Sequence, residues 1–535
     1  MKRLKITLMA IVLIPALFLQ GCFLLPEPSP VTQPPDVSET PDAEPAGNSV
    51  RVTPVREGRF TLRYDPGSTL NPITGTNRDN LLIAELMYER LFELNGNLEP
   101  EPVLCENYVT EDNITYVLNL KPGIAMSDGS TLTAGDVAYS IRLAAERAKF
   151  SNRLRIIESV ASDGDLAVTV TLRSPNSRFI RLLDVPIIKN GSIDSRIPPG
   201  SGPYVYVGDD ARRLDRLLGY RDFDILPVSS VYLRECGDNE VTELFSQGEL
   251  SLVWTDPAGA AETRINRIHE TRYYDTTTLQ FLGFNTRTEA MKNPDVRRVI
   301  GSAINRGHIA ETIMPGQAIA APLALSPVLD LYDSSWERGA VYTLRDIAEL
   351  LNRAGIEDAD DDSFLDYPVG SGYERITIDF IVNEENEHKV QAANSIAEAL
   401  GLIGLDVTVR ELPWDSFLEA LDTGDFDMYY GEAAINADFD LSPLLLPDGG
   451  LVYGGTGGEQ FREFIDAFLS AQTDDDRRTA ARLLCDQITR EAPFIPVLYK
   501  RYAVHTAMGA VSGLAPSQSS IFHAITDWKI HLEAL

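Results

Sequence analysis

Cysteine is scarce: 535 residues carry four, at Cys22, Cys105, Cys236 and Cys485. Their spacing fits no zinc site, and the last three are expected to be small buried apolar residues, with one disulfide among them as the alternative. Histidine is as thin. His269, His308, His388, His505, His523 and His531 stand singly, with no H-x-x-x-H pair, which argues against a built-in transition-metal site. No G-x-S-x-G elbow, HExxH helix or phosphate-cradling P-loop occurs, and no spacing singles out two carboxylates as an acid and base pair. An enzyme is therefore not expected, nor a cofactor. Beyond the N-terminal stretch no apolar run is long enough to cross a bilayer. Positive charge is also short: 47 Lys and Arg stand against 79 Asp and Glu, a formal net charge of -32. That excludes a nucleic-acid partner and any charge-driven grip on anionic lipid, and it suits a soluble protein.

What is present begins at the N-terminus. Lys2, Arg3 and Lys5 make a positive start, and residues 6–19 form an apolar stretch of signal-peptide length. It ends in Leu19-Gln20-Gly21-Cys22, which resembles a bacterial lipobox: cleavage before Cys22 and a diacylglycerol on its thiol. Residues 1–21 are thus expected to be a lipoprotein signal peptide. Residues 22–50, rich in Pro, Ser, Thr, Glu and Asp, are expected to be an unfolded tether that holds a soluble domain off a membrane. One acyl chain anchors only marginally, so further chains on Cys22 would firm the anchor.

The rest is too long for one core and reads as mixed α/β. Residues 61–64, 115–120 and 166–172 alternate as strands. Residues 81–91 place apolar side chains at helical spacing. Thr133 stands three residues before Asp136, a capping-box-like start to a helix through Val137 and Ile141. Residues 376–382, 388–402 and 405–409 read as a β-α-β unit. Asp358, Asp360 and Asp362 alternate like a calcium loop, but Ser363 and Val369 stand where an EF-hand needs Gly and Glu, so a surface turn is expected. No fixed-period repeat is present.

A series of motifs runs from about Phe60 to Trp528. Leu70-Asn71-Pro72 leads to Tyr88-Glu89-Arg90-Leu91. Residues 116–124 are followed by Ser127-Asp128-Gly129-Ser130 and Leu132-Thr133-Ala134-Gly135-Asp136-Val137. Gly200-Ser201-Gly202-Pro203-Tyr204, Gly283-Phe284-Asn285-Thr286, Ala303-Ile304-Asn305-Arg306 and Glu491-Ala492-Pro493-Phe494-Ile495-Pro496 complete the series. In this order they resemble the family 5 extracellular solute-binding proteins, which include oligopeptide-, dipeptide- and nickel-binding members. The motifs themselves are turns, caps and bends. Arg297, Arg298 and Arg306 are read as ion-pairing residues that hold lobe geometry rather than ligand.

The resemblance implies a two-lobed, hinged, periplasmic-binding-protein-like α/β fold. The amino lobe would take residues 51–80, 190–284 and 502–535. Residues 81–189 would form its subdomain, and 285–501 the second lobe. It implies a substrate-binding lipoprotein of an ABC importer, monomeric, extracytoplasmic and anchored through Cys22, which delivers peptides to a permease. The ATPase subunits would be separate chains, since no P-loop is present. A nickel chelate, an oligosaccharide or a signalling molecule is the alternative ligand. In peptide-binding members an Asp in a loop reading like DxxDPxxF meets the ligand amine. Asp438 matches it best and Asp440 next. Glu432, standing where the family has Trp, is a second anionic candidate. Tyr430 and Phe439 are candidate walls, and Asn285 is a candidate contact to ligand backbone.

Overall fold

Two long antiparallel strands, His269–Phe284 and Phe494–Ala507, run side by side through a computed structural model that describes residues 58–260 and 264–531. The expected signal peptide, the tether and Cys22 lie outside the described residues. The two strands are in register from His269 opposite Ala507 to Asp275 opposite Arg501. The register then shifts, and Leu279 pairs with Tyr499. A β-bulge of this kind bends the strand that carries it. On one side of it, Tyr274 and Val504 pack into a core with Phe60, Leu62, Leu252 and Trp528. On the other, Leu279, Phe281 and Tyr499 pack with Phe439, Leu484 and Phe494, while Leu282 and Leu498 face Ile300, Phe380 and Ile396. The chain therefore passes from one core to another along two strands.

These strands lie in a seven-stranded sheet. In space its order is Leu252–Thr255, Phe494–Ala507, His269–Phe284, Met428–Ala434, Thr377–Asn383 and Asp406–Leu412, with Ala318–Ala320 also paired to Phe494–Ala507. From Tyr274 to Phe284 almost every residue is buried, as expected of a strand covered on both faces. The expected β-α-β unit is present: Thr377–Asn383 and Asp406–Leu412 pair in parallel, joined by the helix Glu387–Leu402. Asn386 caps that helix by accepting from the Lys389 N–H at 3.0 Å.

Two four-stranded sheets serve the amino half. One pairs Phe60–Tyr64 with Ser230–Glu235, followed by Arg213–Arg216 and Tyr204–Tyr206. The other runs Cys105–Val109, Thr115–Leu120, Ala167–Leu172, Ile157–Asp163, under the helix Ala134–Ala145. It has its own core, drawn from Leu91 to Ile187. The Asp136 carboxylate accepts from both the Thr133 N–H and its hydroxyl at 2.8 Å, the helix start legible in the sequence. The helix expected at 81–91 instead spans Arg78–Glu85, capped by Asn77, and residues 86–91 are buried irregular chain. Cys105 and Cys485 are buried, Cys236 is half-buried, and each is a free thiol.

The arginines take a different part from the one expected. Arg297 is buried and donates to main-chain carbonyls: Met291 at 2.5 Å, Ala492 at 2.8 Å and Glu491 at 2.6 Å. It thus satisfies the orphan carbonyls at the ends of the helices Glu289–Lys292 and Asp474–Glu491. Arg306 likewise donates to the Pro496 carbonyl at 2.9 Å. Only Arg298 is ion-paired, with Asp295. The acidic residues 358–362 form a surface turn in which Asp358 accepts from the Asp362 and Ser363 N–H groups, both at 3.0 Å, and Asp362 pairs with Arg375. Asp358, Asp360 and Asp366 bring carboxylate oxygens within 4.8 Å of one another there.

Gly283 leaves room on the crossing strand for the Tyr429 ring, for a methyl group on it would land in that ring. Gly283→Ala is expected to cost about 2 kcal/mol of stability through overpacking, read as a lowered midpoint in urea unfolding.

Candidate functional site

A lone lysine stands out in the strand Phe494–Ala507. The Lys500 side chain is only 1% exposed, so its charge must be paired. Its Nζ donates to Asp256 Oδ2 at 2.7 Å and to Glu432 Oε1 at 3.3 Å. Lys389 Nζ lies 3.1 Å from Glu432 Oε2, and the Gln280 amide donates to the same oxygen at 2.9 Å. Tyr430, wholly buried, donates its hydroxyl to Gln280 Oε1 at 3.0 Å. Burial pushes the Glu432 carboxyl up, but Lys389 and then Lys500 outweigh it and bring it below its ordinary value. Burial likewise works against the Lys500 ammonium, and Glu432 and Asp256 more than restore it. Two cations and two carboxylates thus neutralise one another beside the bulge. Glu432 and Tyr430 belong to this network, and a quarter of the Glu432 side chain remains exposed.

The loop after Met428–Ala434 holds the other acidic candidates. Asp438 is buried. Its Oδ2 accepts from the Asn176 amide at 2.8 Å, its Oδ1 from the Asp440 N–H at 3.2 Å, and its carbonyl from Arg178 Nε at 3.0 Å. Burial, and then the Asp440 charge, push the Asp438 carboxyl up to about 6, against the opposing pull of Asn176 and Arg178. Asp440 accepts from the Ser442 N–H at 2.9 Å and pairs with Arg155 at 3.3 Å. Phe439, at φ 60°, is fully buried against Tyr499. Asn285 donates to the carbonyls of Gly424 at 3.0 Å and Phe426 at 3.1 Å, and accepts from the Arg287 N–H at 3.2 Å. The polar groups of Asp438 and Asn285 are thus engaged within the protein.

A cavity of about 330 Å³ lies between the helix Arg78–Glu85 and the short helix Ala148–Leu154. Its size suits a small ligand. Tyr88 and Phe150 give it apolar wall, and Ser519 lies at its edge. Glu85 Oε2 accepts from the Ile521 N–H at 2.9 Å and the Ser520 hydroxyl at 3.1 Å, and burial pushes its carboxyl up to about 7. Arg153 pairs with Asp184 at 2.5 Å, and Asp184 also accepts from the Ser519 hydroxyl at 3.0 Å. Lys149 donates to the Pro72 carbonyl at 3.2 Å. Partial burial, and then the nearby Arg90 and Arg153, push its ammonium down to about 8, although the residue as a whole is exposed. Arg78 lies over the Trp254 ring, 5.6 Å from the Tyr502 ring centroid. Tyr502 in turn lies 5.7 Å from Lys500 Nζ. Arg78 thus links the cavity to the charged network. Two other cavities of comparable size, beside Tyr232 and beside Leu483, have no lining residue in or stacked on the crossing strands.

Sequence reasoning missed Arg78, Glu85, Lys149, Asp256, Gln280 and Lys500. One signal was available. Lys500 interrupts Ile495-Pro496-Val497-Leu498-Tyr499, and a lysine in so apolar a strand demands carboxylates.

Crossing strands that pass from one core to others are an arrangement shared with two-lobed binding proteins of the periplasmic type. The family model described as bacterial extracellular solute-binding proteins, family 5, matches residues 99–449, and the chain belongs to that family. It is 26% identical over 306 residues to the glutathione-binding protein GsiB of Escherichia coli O6:K15:H31, which covers 54% of this chain and 59% of that protein, under two thirds of its length. With GsiB of Shigella dysenteriae serotype 1 it is 26% identical over 468 residues, 81% of this chain and 87% of that protein. The fold is similar to that of the oligopeptide-binding protein AppA of Bacillus subtilis, solved with a nonapeptide (TM-score 0.61, 19% identity, 89% of this chain and 100% of that one). It is also similar to the murein tripeptide binding protein MppA in its unliganded open form (TM-score 0.71, 15% identity, 90% and 99%). These relatives are binding proteins. Among the described residues, no helix is long and apolar enough to cross a membrane.

Removing one partner of the buried charge network leaves the rest uncompensated. Lys500→Met is expected to cost about 3 kcal/mol, the low end for such a change because Lys389 still holds Glu432, read by urea unfolding. Asp438 gives a pH test. Its folded pKa is raised, so its contribution to stability is fully present below the unfolded value and is lost as pH rises through about 6. The melting temperature of the native chain minus that of Asp438→Asn is expected to shrink from pH 4 to pH 7. A difference that stays constant or grows contradicts the burial argument.

Proposed function

We propose that this chain is the substrate-binding component of an ABC importer, that it captures peptides between its two lobes, and that it hands them to a membrane permease energised by separate ATPase subunits. The observation that carries this reading is the 330 Å³ cavity with charged lining residues, whose Arg78 lies over Trp254 and 5.6 Å from the Tyr502 ring of a crossing strand. The cavity is lined from the amino half alone, so a ligand held there would gain further contacts only as the second lobe closes over it, and would so shift the population toward the closed form. Family membership supports the same reading. The chain acts by binding and carries out no catalysis. It works as a monomer on the outer side of the membrane, held by a lipid on Cys22.

Glu432 is the anionic group proposed to meet a ligand amine, because its side chain is a quarter exposed beside the crossing strands. Asp438 takes that role only where its contact with Asn176 opens. Tyr430, Phe439 and Asn285 are buried, so their proposed part is to support that region from behind, and of the four only the partly exposed Asp440 is left to face a ligand.

The purified full chain is expected to carry short peptides that native mass spectrometry releases and identifies. Adding such peptides in excess to the emptied protein is expected to make it more compact by small-angle scattering. Absence of both effects across a mixed peptide pool removes the peptide reading. A Cys22→Ser variant is expected to move from the membrane to the soluble fraction, and an unchanged distribution contradicts lipid anchoring.

A further inference from the structure

A short loop reaches from one core to another. Residues 173–178 leave the strand Ala167–Leu172 and lead to Phe179, which packs in the core drawn from Leu91 to Ile187. The loop is fastened at its root: the Asn176 N–H donates to the Asn113 carbonyl at 2.9 Å, and the Asn176 carbonyl accepts from the Tyr116 hydroxyl at 2.6 Å. Its tip meets a different core, the one that holds Phe439, Phe468 and Leu484. There the Asn176 amide donates to Asp438 Oδ2 at 2.8 Å, Arg178 Nε to the Asp438 carbonyl at 3.0 Å, and the Ser177 N–H to the Leu469 carbonyl at 2.7 Å. Arg155 adds an ion pair with Asp440 at 3.3 Å, and Leu98 packs into the same core. Asn176, Arg178 and Asp438 are all 2% exposed or less.

This seam is not finished like a permanent interior. Arg178 is a buried guanidinium, yet among the described residues no carboxylate lies within ion-pair distance of it. It meets the Asp438 carbonyl, and the Phe468 ring centroid is 5.4 Å away. One Arg178 Nη, Arg181 Nε, Glu99 Oε1 and Arg477 Nε are buried there without a protein partner. Polar atoms in a fixed interior are nearly all paired, whereas a surface that parts can leave them to water. Burial, and then Arg181, push the Arg178 guanidinium down to about 9, so its charge gains by exposure.

We propose that residues 173–178 are a clasp: through Asn176, Ser177 and Arg178 on Asp438 and Leu469 they hold the amino half against the second lobe when no ligand is bound, and they let go as pH rises. The groups that face Asp438 are Asp440 on its own loop and Arg178 from the clasp, with Arg181, Glu99 and Arg477 around Arg178 and Arg155 on Asp440. In the clasped form burial, and then Asp440, raise the Asp438 carboxyl to about 6. Once the seam parts and water reaches it, the carboxyl returns to its ordinary value near 4. Its contribution to the clasp is therefore full below that ordinary value and is lost as pH rises through about 6. A chain that clasps itself has part of its closing free energy in place before a ligand arrives, and must unclasp to admit one. The inference needs two lobes but no particular ligand, so it stands or falls apart from peptide capture.

The test uses the purified full chain, freed of ligand by unfolding in urea and refolding, and measured by small-angle scattering at pH 5 and pH 7.5. The ratio of clasped to open form is expected to fall roughly tenfold between them. Asp438→Asn keeps a hydrogen-bonding amide but cannot ionise, and is expected to stay compact at both. Asn176→Ala and Arg178→Gln are each expected to be more open than the native chain at pH 5, with unchanged near-ultraviolet circular dichroism showing that the cores are intact. Should Arg178→Gln fail to fold, Asn176→Ala still decides. Equal dimensions of the native chain and Asn176→Ala at pH 5 overturn the clasp. A native chain equally compact at both pH values, or a pH response in Asp438→Asn as large as the native one, overturns the release assigned to Asp438.

Discussion

The pairing of His269–Phe284 with Phe494–Ala507 is the constraint on which the rest of the molecule depends. Both strands serve more than one core, so their register fixes which side chains reach which core. A slip of one residue would turn Leu279, Phe281 and Tyr499 away from their partners. The sheet admits no bulk at the crossing: Gly283 sits against Tyr429, and Gly431 against Phe281. The register shift after Asp275 takes up the bend that joining the cores requires.

Charge is managed with the same economy. Lys500 is buried beside the bulge and is tolerated there because Asp256 and Glu432 face it, with Lys389 completing the balance. Each partner comes from a different stretch of chain, so the network also ties four stretches together. Arg297 achieves a similar end without ion pairs, by gathering carbonyls from two helix ends. In the cavity the balance is left open, and that contrast with the neutralised network nearby singles it out.

Much of the scaffold could be read locally. Alternation located Thr115–Leu120 to the residue, and Thr133 with Asp136 marked a helix start, because both signals depend only on neighbours in sequence. The helix at Arg78–Glu85 was placed late. Its first turn, Arg78-Asp79-Asn80, has no apolar residue to set the period, and the buried residues 86–91 continue the apolar pattern beyond the helix end. The site was far less legible. Nothing in the sequence sets Arg78 and Lys149 apart from the other cations, and only folding brings them to one cavity. Lys500 and Asp256 are separated by 244 residues, beyond the reach of any spacing rule. Asp438 matched a motif, yet a motif does not reveal that Asn176 occupies its carboxylate.

Three consecutive threonines fill the bulge, and the Thr276 hydroxyl takes up work that a regular ladder gives to the main chain. The Thr276 hydroxyl donates to the Lys500 carbonyl at 2.8 Å and accepts from the Thr278 N–H at 3.1 Å. The Gln518 side chain grips Thr277 twice, accepting from its N–H at 2.6 Å and donating to its hydroxyl at 3.1 Å. Main-chain ladder bonds are fixed by the backbone, whereas these bonds turn on side-chain torsions with several staggered wells. The segment is a strand by position, but at the bulge its main-chain groups are satisfied by side chains, so the ladder is interrupted without leaving the Thr277 and Thr278 N–H groups or the Lys500 carbonyl unpaired.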